Sequence, residues 1–148
     1  MLSFLIVIAI GVYDGLPPIG FIPRVLGLAF GAAIGAVFIR LAAKVLFKFV
    51  PPTKMAIYAM LVVGTGNAIL NVLYGLARKG TNGDLSLGVD AGFAVTHVLV
   101  AASILAVMIR TPESATLGFR KALLLTVVAM MVGAVVVGLA YVVVHRLL

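Results

Sequence analysis

A chain of 148 residues that is 64% hydrophobic and 10% charged, with a mean hydropathy of +1.31, is too apolar for a water-soluble domain, where about half the residues are apolar and a quarter charged. The absence of cysteine excludes disulfides, thiolate metal sites, iron–sulfur clusters and cysteine nucleophiles. A net charge of +7, from 11 Lys and Arg against 4 Asp and Glu, serves orientation and headgroup contact in a membrane chain, so nucleic acid is not an expected partner.

Spans of about 20 apolar residues divide this length into one compact bundle. The expected fold is all-α integral membrane: a polytopic helical bundle of four transmembrane helices plus a broken N-terminal apolar segment, all of residues 1–148 forming one unit. The spans are placed at 2–22 (broken), 25–47, 55–77, 91–110 and 119–145.

Residues 2–13 make only about 18 Å of helix, short of the roughly 30 Å hydrocarbon core. Asp14-Gly15-Leu16-Pro17-Pro18 then interrupts the run, because each proline disfavours the α conformation at the residue before it. The segment reads as a kinked fifth span, a re-entrant or interfacial helix, or a cleaved signal peptide; the last lacks a basic leading region and a small-x-small cleavage site. Broken backbone at membrane depth must be satisfied by protein or water, which places Asp14 toward the bundle, a cavity or the interface.

The second segment carries Gly27, Gly31 and Gly35 at four-residue spacing. The stripe drifts by only about 40° per step, giving a flat groove of glycine-zipper type against which another backbone can pack closely. Arg40, Lys44 and Lys48 recur on the roughly opposite face near the helix end, where they are expected to reach anionic lipid headgroups before Pro51-Pro52 ends the helix. The third segment carries Asn67, Asn71, Tyr74 and Arg78 within about 60° of one another. This stripe is either interhelical hydrogen bonding or the lining of a polar path.

The loop at 80–89 has turn formers in Gly80 and Asn82-Gly83, lacks the acidic spacing of a calcium loop, and leaves Asp90 to cap the next helix. The fourth segment gathers Gly92, Thr96, Ser103 and Ala106 on one side, a groove partly filled by Leu99, with His97 about 100° from Thr96. No second histidine or carboxylate stands at ligand spacing on that helix, so a structurally hydrogen-bonded His97 is expected and no metal site. The last segment, over-long for one span, aligns Ala122, Thr126, Ala129, Gly133 and Ala140 as a second small-residue face, a natural intrachain partner for the glycine groove.

The connections holding Lys44, Lys48, Lys54, Arg110, Arg120 and Lys121 outweigh in positive charge those holding Arg24, Arg78, Lys79 and Arg146. The positive-inside bias therefore puts loops 48–54 and 111–121 in the cytoplasm. All four acids, Asp14, Asp84, Asp90 and Glu113, lie at span edges or in loops, and no catalytic constellation, nucleotide fingerprint or cofactor motif is in place. The expected function is that of a non-enzymatic, self-associating structural or accessory subunit, a homo-oligomer or part of a larger membrane complex, in contact with membrane lipids. The alternative is an uncoupled channel or small-solute transporter lined by Asn67, Asn71, Tyr74, Thr96 and His97, with Asp14 near its mouth. An enzyme acting on lipid or quinone would need His97 brought against Asp14 or Asp90.

Overall fold

The computed structural model describes residues 18–80, 87–113 and 115–147. Four helices follow one another: α1 (Pro18–Phe47), α2 (Thr53–Gly80), α3 (Leu87–Met108) and α4 (Phe119–Leu147). All four contain a stretch long and apolar enough to cross a membrane, at Val25–Phe47, Thr53–Ala77, Gly88–Met108 and Phe119–Val136. The chain is thus an all-helical, multi-pass membrane protein by length and composition of its helices. Each helix packs on its neighbours in sequence and α1 also packs on α4, while the diagonal pairs α1–α3 and α2–α4 do not meet among the described residues. The result is a closed ring of four helices.

The N-terminal expectation needs correction where it can be compared. The boundary expected between segments 2–22 and 25–47 is absent: α1 starts at Pro18 and runs through Pro23 without interruption, while the break expected at Asp14–Pro18 falls on residues outside the described set up to Pro18 itself. Proline is well tolerated in the first turn of a helix, where its missing N–H has no intrahelical partner, and at Pro23 only the bond to the Ile19 carbonyl is lost. Residues 1–17, and with them Asp14 and the question of a fifth span, lie outside the described residues. The loop at 80–89 is also shorter at its far end than expected, because α3 begins at Leu87 and takes Asp90 into its first turn.

The buried core lies toward one end of the ring, where α1 ends, α2 begins, α3 ends and α4 begins. There Ile39, Ala42 and Ala43 of α1, Ala59 and Val63 of α2, Ala101, Leu105 and Ala106 of α3, and Ala122 and Leu125 of α4 form one cluster, joined by Ile109 and Leu117 of the connection. Alanine supplies much of this contact because, with lipid outside, helices are held by close approach and dispersion and not by exclusion of water.

Two turns close this end. Lys48 terminates α1 in a left-handed conformation (φ 57°), its N–H donating to the Lys44 carbonyl at 3.2 Å. Arg40 Nε donates to the Pro51 carbonyl at 3.0 Å and ties the α1–α2 turn to the flank of α1. In the α3–α4 connection, Thr111 N–H donates to Ala115 O at 2.8 Å and Leu117 N–H to Ile109 O at 2.9 Å, making a small antiparallel clasp around the Arg110–Thr116 bridge. Gly118, at φ 77°, then turns the chain into α4, and its carbonyl accepts the Ala122 N–H at 3.0 Å.

The other end is open. From Ala134 onward every α4 residue whose side chain is described is exposed, with Val135 at 61% and Leu139 at 62%. Enlarging a side chain should therefore cost stability at one end only. Ala59→Leu, at a fully buried position, is expected to lose about 1–3 kcal/mol through overpacking. Val135→Leu, at a position 61% exposed in the open half of α4, should stay within about 0.5 kcal/mol, both read by denaturant titration in mixed micelles.

Candidate functional site

The polar side chains of α2 and α3 meet in the open half of the ring. Gly64 sits under Leu28 of α1, and Gly66 under Val100 and Ile104 of α3. The shorter arc of α2 between those contacts spans about 160° and carries Asn67, Asn71 and Tyr74, so the asparagine stripe is turned toward the centre of the ring.

Three levels follow, each about one helical turn apart along α2. At the outermost, the Tyr74 hydroxyl donates to Asp90 Oδ1, while the Tyr74 ring packs edge-on against Phe93 with centroids 4.6 Å apart and planes at 64°. One turn deeper, His97 Nε2 lies 3.2 Å from Asn71 Oδ1 and His97 Nδ1 lies 2.8 Å from the Phe93 carbonyl. Both imidazole nitrogens thus face oxygens. A neutral ring donates through Nδ1 to the carbonyl and accepts at Nε2 from an Asn71 amide turned over, whereas an imidazolium donates to both. At the deepest level Asn67 Oδ1 is buried with no hydrogen-bond partner among the described residues.

Of the residues expected to line a polar path, Asn67, Asn71, Tyr74 and His97 are brought together, and Asp90, expected as a cap, joins them by accepting from Tyr74. Thr96 is not among them. It lies about 100° around α3 from His97, and its hydroxyl donates to the Gly92 carbonyl of its own helix at 2.8 Å. Thr65, Ser103 and Thr126 bond back to the carbonyl four residues earlier in the same way, which satisfies a hydroxyl in hydrocarbon without a second helix. His97 contacts no carboxylate, so the pairing that a lipid or quinone enzyme would need is not formed among the described residues. No group of three or more His, Cys, Asp or Glu suited to a metal ion is found among them.

The ladder does not continue through the ring. Below Asn67 lies the alanine and leucine core, where Ala59 and Leu125 are fully buried and Leu105 is 1% exposed.

The small-residue faces behave differently from each other. A Cβ at Gly35 would lie 2.5 Å from Met60 Cε, so this glycine admits the α2 methionine. Gly27 and Gly31 have nothing within 4 Å among the described residues. On α4, Ala122 and Thr126 are buried, Ala129 packs on the core, and a Cβ at Gly133 would lie 3.7 Å from the Phe38 ring. The α4 face therefore packs within the chain, with Gly133 against Phe38 and not on the glycine groove. The side chain of Ala140 is outside the described set. In the basic stripe, Lys44 and Lys48 are exposed, while Arg40 spends one donor on Pro51.

A double-mutant cycle isolates the α2–α3 contact. Asn71→Leu and His97→Leu are expected to show a coupling of about 0.6 kcal/mol, and at most about 2, in unfolding from bicelles. Comparison with protein-family models, curated proteins and solved structures finds no match to this chain.

Proposed function

We propose that this membrane protein is a non-enzymatic structural or accessory subunit that self-associates through the open half of its helix ring. The observation that carries the proposal is a groove only partly filled. On one face of α1, Gly35 is occupied by Met60, whereas Gly27 and Gly31 continue the same groove with nothing within 4 Å among the described residues. Beyond the contact of Phe38 with Gly133, α1 presents these glycines, and α4 leaves Val136 and Val143, within about 80° of Gly133, 46% and 54% exposed. A helix from a second copy entering this seam meets flat backbone on one side and branched side chains on the other, the combination that gains most from close packing in lipid. In this reading loops 48–54 and 111–121 lie in the cytoplasm, and the seam opens toward the opposite face.

A second reading, an uncoupled channel or small-solute transporter, is favoured by the ladder of Tyr74, Asn71, His97 and the unpartnered Asn67 oxygen. Against it stands the cluster of buried apolar side chains beneath Asn67, which does not continue the polar ladder.

The test combines Gly31→Leu with Asn67→Leu/Asn71→Leu. Native mass measurement in lipid nanodiscs is expected to give an oligomer for the unmutated protein, a monomer for Gly31→Leu with unchanged thermal midpoint, and an intact oligomer for the asparagine pair. A monomeric unmutated protein overturns self-association, and a Gly31→Leu monomer of lowered stability assigns the groove to packing within the chain. Movement of ions or small solutes by the reconstituted protein, lost in the asparagine pair, would establish the transport reading instead.

A further inference from the structure

At the closed end, the α1–α2 turn and the α3–α4 clasp stand side by side, leaving a cleft of about 360 Å³ between them. Phe47, Lys48 and Phe49 line it from the first connection, Thr111, Glu113 and Thr116 from the clasp, and Lys121 enters from the first turn of α4. The cleft belongs to a different part of the molecule from the asparagine ladder. It lies where the spans end, at the depth of lipid headgroups, and its volume is within the range of small-molecule sites.

Two observations make it more than a gap between loops. Lys48, Lys121 and Glu113 all border it, yet none forms an ion pair among the described residues. Two ammonium groups and one carboxylate thus share a cleft without neutralising each other, and Thr116 adds a hydroxyl to the same wall, whereas the Thr111 hydroxyl donates to the Ala115 carbonyl at 3.2 Å. The second observation is the backbone of Lys48. Its φ of 57° is the left-handed helix-terminating conformation, a position that glycine or asparagine fills by default because a Cβ is strained there. Lys48 thus holds a strained conformation at the mouth of a charged cleft.

We propose that this cleft binds the phosphate of a phosphoester, held between the Lys48 and Lys121 ammonium groups with the Thr116 hydroxyl as a further donor, and that a phospholipid headgroup is its source. Glu113 supplies the complement for an amine beyond the phosphate, so a phosphoethanolamine headgroup fits better than a phosphoglycerol one. Ammonium and hydroxyl donors to a phosphate are charge-assisted hydrogen bonds, stronger than the neutral bonds elsewhere in the molecule. The proposal extends the headgroup role of Lys48 to a defined pocket. It is independent of self-association, since both connections come from one chain and a monomer keeps the cleft.

The test uses the full-length protein in detergent, titrated with phosphatidylethanolamine, phosphatidylglycerol or diacylglycerol and read by native mass spectrometry. The unmutated protein is expected to retain both phospholipids over diacylglycerol, and the ethanolamine lipid over the glycerol one. Lys48→Gly and Lys121→Ala should each weaken phospholipid retention about fivefold. Lys54→Ala, an exposed lysine that does not line the cleft, should leave it unchanged. Lys48→Gly relieves the left-handed strain, so its thermal midpoint should equal or exceed that of the unmutated protein, and weaker retention cannot then be ascribed to misfolding. Retention unaltered in both Lys48→Gly and Lys121→Ala overturns the proposal, as does an equal loss in Lys54→Ala, which would mean diffuse attraction to the basic surface. Chain-free glycerophosphoethanolamine separates the sources: failure to displace the lipid supports the headgroup, and displacement at equal concentration overturns it in favour of a soluble phosphoester.

Discussion

In hydrocarbon, one apolar surface gains nothing by hiding from solvent behind another, so a helix bundle is held by how closely its backbones approach and by what its polar groups can reach. The closed end of this protein meets that constraint with alanine. Ala43, Ala59, Ala102 and Ala122 are all fully buried, and among them only a few large side chains, Leu105, Ile109 and Leu125, fill the remaining space. Such a core has a corollary at its boundary. Helices this close leave short connections under tight geometric demand, and both answers use backbone groups: a left-handed residue at Lys48 and a hydrogen-bonded clasp from Ile109 to Leu117. Arg40 adds a donor from the side, reaching the Pro51 carbonyl, which proline's neighbours cannot satisfy through a helical bond.

The same constraint explains where polarity is allowed. Hydroxyls are dispersed through α2, α3 and α4 because each closes onto its own helix four residues back. Amides and imidazole cannot do so completely, and they gather where two helices face each other across an open interior. Asn71 and His97 satisfy one another, and Tyr74 satisfies Asp90. Asn67, one turn closer to the alanine core, has an oxygen that the ring does not serve. A buried unpartnered amide oxygen costs of the order of 1–3 kcal/mol, so the position next to it is the most favourable place in the described bundle for a water molecule or a donor group from outside it.

Two of the candidate membrane spans were legible in the sequence to within two residues. Apolar length is enforced by the bilayer, and 25–47 and 55–77 correspond to candidate spans at Val25–Phe47 and Thr53–Ala77. Helical periodicity likewise placed Asn67, Asn71 and Tyr74 on one face, and set Thr96 apart from His97 by the same arithmetic, although both were assigned to one path. What the sequence could not convey was the choice of partner. Small residues mark a face as able to pack without saying on what: Gly35 receives Met60, Gly133 receives Phe38, and Gly31 receives nothing among the described residues. That choice depends on the tilt and register of whole helices, which no spacing of residues encodes. The proline pair Pro17-Pro18 reads as a break and equally as a helix start, and among the described residues α1 begins at Pro18. The clasp and the Lys48 conformation had no sequence signature, because a threonine-rich turn is common and a lysine is an unusual residue in a left-handed position.

The two ends of the ring therefore divide the work that a small membrane protein has to do. An element intended for contact must leave surface uncommitted, and uncommitted surface weakens the fold that carries it. Concentrating close packing, the turn hydrogen bonds and the buried leucines at one end frees the opposite half of α1 and α4 from holding the chain together. The glycines there are then tolerable, since a glycine in a helix costs about 1 kcal/mol against alanine wherever no neighbour repays it. Gly27 and Gly31 have no such neighbour among the described residues, whereas Gly35, at the edge of the closed end, has Met60. A sequence shaped by the fold alone would replace the first two with alanine and keep the third. Their presence leaves flat, uncovered backbone on α1 among the described residues, the opening on which the proposed self-association rests.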